Sequence, residues 1–345
     1  MTAPGTAPPT AEPRPGCPKH MVFGPCGGVE ADGRCEVDDR RCVFLDNPHP
    51  PAASRVSPTT LTPAAAAMRE LMARRQVVVA DFPARAMDLA SSARCAGLLA
   101  GTVDAVLVGD APTARVQFPP AFRASLIIAE GLPVWAGLNC RDRNRVALEG
   151  ELAALAAVGV SGVHCVTGDH TTIGNRPDAT PVFDLDSTRL AGLASAAGHL
   201  VSVAESPASP PIDGRAARLV EKERAGATVV FVNHCGDADR VATFLDRHRA
   251  ACGAAAPIAC VPLVVDAGSA DLLRSFTSLV LPPGYLQGIS SATDPFRAGV
   301  DATVALAERM LAVPGVRGVD LSGGPAPGAE ETFAQAIVDV AARLR

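Results

Sequence analysis

The chain has 345 residues, enough to bury one large core with a small appendage. Its formal net charge of −5, with no basic stripe, gives no basis for a nucleic-acid partner. Apolar residues make up 48% of the sequence, but Asp, Glu or Arg interrupts every apolar run before it reaches membrane-spanning length. The Pro-, Ala- and Thr-rich start lacks the apolar stretch of a secretory signal. Ten cysteines in such a chain point to reduced thiols and a metal rather than a disulfide scaffold, with the cytoplasm as the expected compartment.

In chain order, residues 1–16 read as a disordered tail. Residues 17–46 carry Cys17, Cys26, Cys35 and Cys42, spaced by eight, eight and six residues among glycines. The segment has too few apolar residues for a core of its own, so a metal bound by four thiolates would explain how it folds. Zinc and a [4Fe-4S] cluster both suit that donor set, and the CxxC pairs of zinc ribbons are missing. The alternative is four free thiols in a packed loop, and His20 reads as an exposed loop residue. Residues 47–63 form a Pro-rich linker.

From residue 64 to 345, short apolar runs alternate with amphipathic stretches. The predicted strands are Val77–Asp81, Asp104–Val108, Val134–Cys140, Val163–Val166, Leu200–Val203, Val229–Asn233, Ile258–Leu263 and Gly318–Leu321. Helical spacing falls between them, as at Ala147–Val158, Asp213–Ala225, Ala238–Ala251 and Phe296–Val313. Eight such repeats predict an α/β fold, a (β/α)8 TIM barrel, with a doubly wound sheet as the alternative. Barrels keep their chemistry where strands end, and the polar residues there are Asp81, Asp110, Asn139, the RDRN run from Arg141, Asp169 with His170, Glu205, Asn233 with His234, and Ser322. Asp110, Asp142 and Ser322 read as helix caps or turn residues. Asp81 closes the apolar strand VVVAD, where burial would make its carboxyl a proton donor near neutral pH; a structural carboxylate held by backbone amides is the other reading. His164 reads as a core histidine, and Cys140, Cys165, Cys235 and Cys260 as inert buried thiols.

From about Gln76 onward the chain resembles the methylenetetrahydrofolate reductase family. The pieces that carry the resemblance are VVVADFPAR, DAVLVGDAP, GLNCRDRNRVALEGEL, GVHCVTGDH, VFDLD, KERAGATVVFVNH and PGVRGVDLSGG. The segment CPKHMVFGPCGG…GRCEV is similar to a cysteine-rich domain that accompanies some bacterial and archaeal members, usually after the barrel or on a partner subunit. The resemblance implies a folate-binding barrel that reduces 5,10-methylenetetrahydrofolate to 5-methyltetrahydrofolate with NAD(P)H, usually through FAD. It implies that Asp81 assists protonation of the folate as its methylene bridge opens to an iminium. Asp169 and Asn233 would hold the pterin, with Asn139 as a further substrate contact, while Lys222, Asp169 and Thr167 would face the cofactor.

This sequence departs from the family at several of those positions. The acid at residue 81 is an Asp where members carry Glu, which withdraws the carboxyl by roughly 1.5 Å. Asn233 stands for a glutamine, and Thr167 for an arginine. No tyrosine or histidine lies near Glu205-Ser206-Pro207, where flavin contacts are expected, and the sole tyrosine is Tyr285. FAD is therefore left open, and so are a folate-dependent one-carbon transferase on the same barrel and a non-catalytic accessory subunit. The resemblance also allows a homo-oligomer or a redox partner protein.

Overall fold

The computed structural model describes residues 12–46, 50–57, 59–110, 114–233, 235–276 and 279–345. His234 and most of the expected tail lie outside them. The N-terminal segment holds a two-stranded antiparallel ribbon, β1 (Arg34–Cys35) and β2 (Asp38–Arg41), followed by the short helix Val43–Asp46. It begins before Cys17. The Arg14 N–H donates to the Met21 carbonyl at 2.8 Å, and the Arg14 guanidinium lies 5.5 Å from the Phe44 ring centre. The Pro-rich linker is tied to the main body: Ala53 is buried, its N–H donates to Glu221, and the Val56 N–H donates to the Arg224 carbonyl.

Eight parallel strands then close into a barrel: β3 (Val77–Asp81), β4 (Ala105–Val108), β5 (Val134–Asn139), β6 (Gly162–Val166), β7 (Val201–Glu205), β8 (Val229–Val232), β9 (Ala256–Pro262) and β10 (Gly318–Ser322). Each pairs with its successor, and β10 closes on β3 with Leu321 opposite Ala80. Their Val- and Ala-rich runs are buried on both faces, by the barrel interior and by the helical ring, which is the burial a parallel sheet requires. Closure rules out the doubly wound sheet, and the strand positions match the sequence expectation to within one or two residues.

The lower interior is filled by Val77, Val79, Trp135, Phe231 and Ile258. Trp135 meets Phe231 edge to face at 5.4 Å and donates its Nε1–H to Ser202 Oγ at 2.9 Å. Gly162 makes room for that indole, since a Cβ there would fall 2.5 Å from the ring. His164, expected as a core residue, is buried beside Ser202 and Phe231, and burial drives its pKa down to about 3. Helix starts are fixed by side-chain caps, among them Asp88, Asn144, Asp186, Asp237, Asp266 and Asp294. Among the described residues no helix is long and apolar enough to cross a membrane.

Candidate functional site

Asp81, Asn139, Asp169 and Asn233 all sit at or just past the C-terminal ends of barrel strands, β3, β5, β6 and β8 respectively. The barrel thus gathers them at one mouth. Asp81 closes β3 with its Oδ2 accepting from Ser322 Oγ at 3.0 Å and from the Gly323 N–H at 2.9 Å. It keeps partial solvent access while lying deep among protein atoms. Burial raises its pKa to about 6, against the pull of the Gly323 and Ser322 hydrogen bonds. Asp81 is thus anchored by a backbone amide, as the structural reading expects, with its carboxyl pushed up by burial.

Asn233 directly follows β8, and the Cys260 thiol on β9 donates to its Oδ1 at 3.4 Å. Cys260 is buried as expected, and burial pushes its thiol well up, so it is an unreactive donor beneath Asn233. Its neighbour Asp320, on β10, is 1% exposed and was not singled out in the sequence. The signal was there: a single carboxylate inside an otherwise apolar strand.

On the other side of the mouth the NCRDRN run is locked by its own charges. Arg141 is buried and reaches both Asp110, at 2.5 Å, and Asp142, at 2.8 and 2.7 Å. Asn139 donates to Asp110 at 2.8 Å and accepts from the Asp142 N–H at 3.2 Å. Arg176, from a loop the sequence did not mark, adds a 3.2 Å contact to Asp142. Burial pushes the Asp142 pKa up, but Arg141 and Arg176 outweigh it and hold the carboxyl below its usual range. Of the two readings, caps or turn residues, none of Asp110, Asp142 and Ser322 caps a helix, while Asp142 does lie in the bend after β5. Asn144 caps the helix after β5, while the other two carboxylates serve Arg141 and Ser322 serves Asp81.

Asp169 is solvent-exposed and makes no hydrogen bond or ion pair among the described residues, which leaves its carboxylate available to a ligand. Gly168 before it has φ +89°, a turn that sends the chain outward from β6.

Two residues expected at a cofactor are engaged elsewhere. Lys222 is buried between β7 and the helix Arg215–Arg224, donating to Glu205 at 2.7 Å and to the Ala204 carbonyl. Arg215 completes the group at 3.1 Å from Glu205. Burial lowers the Lys222 pKa to about 8 against Glu205's attraction. Glu205 is held below its usual range by Lys222 and Arg215 despite its own burial. Thr167 is buried too, donating to Met21 Sδ at 3.4 Å and accepting from the Ser187 N–H at 3.1 Å.

That Met21 contact belongs to the docking of the cysteine-rich segment onto the loops after β6 and β7. The Val22 N–H donates to the fully buried Asp186 at 3.0 Å, and Ser209 donates to the Val29 carbonyl at 3.2 Å. His20 is exposed, with its Nδ1 3.2 Å from the Phe183 carbonyl. Cys17, Cys26, Cys35 and Cys42 are free thiols and line one small cavity of about 20 Å³. Burial and the neighbouring thiols push Cys17 up, and Cys42 to about 11. Among the described residues no group of three or more His, Cys, Asp or Glu is gathered to hold a metal ion.

Comparison with known proteins gives two kinds of likeness. Residues 10–50 match the family described as methylene-tetrahydrofolate reductase C terminal. No curated protein matches the chain. Among solved structures, an uncharacterized protein from Clostridium thermocellum that binds two copies of 5-methyl-5,6,7,8-tetrahydrofolic acid superposes with a TM-score of 0.58 at 11% identity, covering 79% of this chain and 97% of that one. A 2,3-dimethylmalate lyase of the PEP mutase/isocitrate lyase superfamily gives 0.46 at 16% identity, covering 76% and 80%. A lyase/mutase from Burkholderia cenocepacia gives 0.47 at 19%, covering 79% and 87%. At these identities the structural likenesses speak to the fold alone. The family likeness thus lies in the cysteine-rich segment, which this chain carries ahead of a (β/α)8 barrel.

Proposed function

We propose that the protein is a methylenetetrahydrofolate reductase-like oxidoreductase that binds a tetrahydrofolate at the C-terminal mouth of the barrel and reduces its methylene group with NAD(P)H. The observation that carries this reading is Asp81: a carboxyl at the end of the first barrel strand, anchored by Ser322 and Gly323, raised by burial, and sharing its mouth with Asn233 and the exposed Asp169. Asp81 supplies the proton as the methylene bridge opens to an iminium. Asn233 and Asn139 orient the pterin, and Asp169 accepts from its amino-pyrimidine edge. Hydride then reaches the iminium carbon, with most of the acceleration coming from holding the two rings in contact. The fold match to a barrel that binds 5-methyltetrahydrofolate supports the substrate class.

The commitment of Lys222 to Glu205 and the burial of Thr167 beneath Met21 favour a reaction without FAD held in the family's manner, although Asp169 is free among the described residues. Hydride is therefore assigned directly to NAD(P)H. The four cysteines suit zinc or an iron–sulfur cluster by donor type and by sharing one cavity, and binding either would draw thiols that are not gathered at one point closer together. Such a group would fold the segment rather than enter the reaction.

Anaerobic assay of the purified protein with methylenetetrahydrofolate and NAD(P)H tests the reading. It requires folate-dependent NAD(P)H oxidation without added flavin. Consumption of methylenetetrahydrofolate with no NAD(P)H turnover would instead assign the barrel to one-carbon transfer.

A further inference from the structure

On the wall that joins β8, β9, β10 and β3, four polar side chains follow one another around the barrel. The Cys260 thiol donates to Asn233, and strand register sets Cys260 beside Asp320. Asp320 pairs with Val79 of β3, so it sits one inward step below Ser322 and Asp81. Asp81 has two donors, Ser322 and Gly323, both on Oδ2. Asp320 has only the Cys260 thiol to donate to it, a weaker donor than the hydroxyl and amide that hold Asp81. Asp320 is 1% exposed, and its Oδ1 is buried without a hydrogen-bond partner. The titratable groups facing it are Cys260 from β9 and Asp81 from β3, and no cation is among them. An ionised carboxylate in that position would carry an unsatisfied oxygen and a second negative charge beside Asp81, both costly in a low-dielectric interior.

We propose that Asp320 is the second half of a buried carboxyl pair with Asp81, and that the pair keeps one shared proton at neutral pH for the reaction at the mouth. This inference rests on the folate reading of the site and adds a positioning residue to it. Burial raises both groups, and Asp81's charge raises Asp320 further, so the proton belongs to the pair rather than to either residue. A basic folate nitrogen seated at Asp81 draws the proton to that side. As the bridge opens, the carboxyl O–H bond breaks and an N–H bond forms on the departing nitrogen, which also keeps the electron pair of the broken C–N bond. The iminium cation and the pair's second negative charge arise together and offset each other. Hydride from NAD(P)H neutralises the iminium, and solvent reprotonates the pair through Asp81, the member with solvent access.

The test uses the full-length protein and two readouts. Infrared difference spectra between wild type and Asp320→Asn, recorded from about pH 5 to about pH 9, follow the protonated-carboxyl C=O band. At about pH 8 the wild type should retain a carboxyl band that Asp320→Asn loses. In turnover, the alkaline limb of kcat should move at least about one unit lower in the variant, so that activity near pH 8 falls about tenfold with KM for folate little changed. A folded Asp320→Asn with the wild-type band and the wild-type alkaline limb overturns the pair. If the variant does not fold, the wild-type spectrum decides alone, since the absence of any protonated carboxyl at about pH 8 also overturns it. Absence of NAD(P)H turnover in the wild type would sink the reductase reading while the infrared titration still decides the pair.

Discussion

Replacing Asp81 by Asn removes the proton and leaves the architecture. An amide oxygen at residue 81 can still accept from Ser322 and Gly323, so the β10–β3 seam keeps both hydrogen bonds. The amide cannot act as an acid, and loss of general acid catalysis costs roughly 10²- to 10⁴-fold in kcat. Folate affinity should stay within a few-fold, because the contact removed is one realised as the bridge opens.

The same substitution has a signature in stability. Asp81's folded pKa of about 6 lies above the 3.8 of an unperturbed aspartate, so the native state binds this proton more tightly than the unfolded chain. That contribution is fully present below 3.8 and is lost as pH rises through about 6, where the buried group ionises in place. A shift of roughly two units corresponds to about 3 kcal/mol. Urea denaturation should therefore show the wild type losing up to about 3 kcal/mol more than Asp81→Asn between about pH 4 and pH 8. The variant is then less active and, at alkaline pH, more stable, as expected when a catalytic group is held in an unfavourable environment. Wild-type turnover in the variant, or an unchanged difference in stability across that range, would remove Asp81 from the mechanism.

Lys222→Met should leave the KM for NAD(P)H near wild type while destabilising the fold by roughly 3–5 kcal/mol, since Glu205 would keep only Arg215 as a buried counter-charge; a large KM effect with unchanged urea stability would return Lys222 to the cofactor. Cys26→Ser with Cys35→Ser should release metal and make residues 12–46 susceptible to limited proteolysis, and unchanged metal content would reject the site. Gly162→Ala should cost about 1–3 kcal/mol in denaturant melts, because the new methyl falls 2.5 Å from the Trp135 ring; a neutral result would mean the indole has room to move.

The barrel was legible because a strand buried on both faces cannot hide its composition. Runs such as VVVA, AVLV and VVFV, each followed by a helical stretch, mark the layers without reference to any tertiary contact. The polar residues at the strand ends were legible for a related reason: a carboxylate or amide that closes an apolar run stands out from it. Partnership was not legible. Nothing local to Lys222 shows that Glu205 lies 2.7 Å away across a strand–helix interface, and nothing local to Thr167 shows Met21, 146 residues earlier, resting on it. Asp110 and Asp142 read as caps or turn residues because a lone Asp near a helix start usually is one or the other. Their real partner, Arg141, is set by how β4 and β5 end side by side.

Asp320 shows how the remaining gap closes once register is known. Strand direction and side-chain alternation, taken alone, leave two choices for it, inside the barrel or beneath the helices. Pairing of β10 with both neighbours removes the choice, because Asp320 lies opposite Cys260 on one side and Val79 on the other, and both of those pack in the interior cluster. A carboxyl forced inward at that height faces Cys260 and Asp81 rather than solvent. An apolar isostere such as Leu would fill the space without the unsatisfied oxygen, and interiors generally favour that exchange. The charge-bearing residue is therefore a cost to stability, and the proton it holds for Asp81 is the return on that cost.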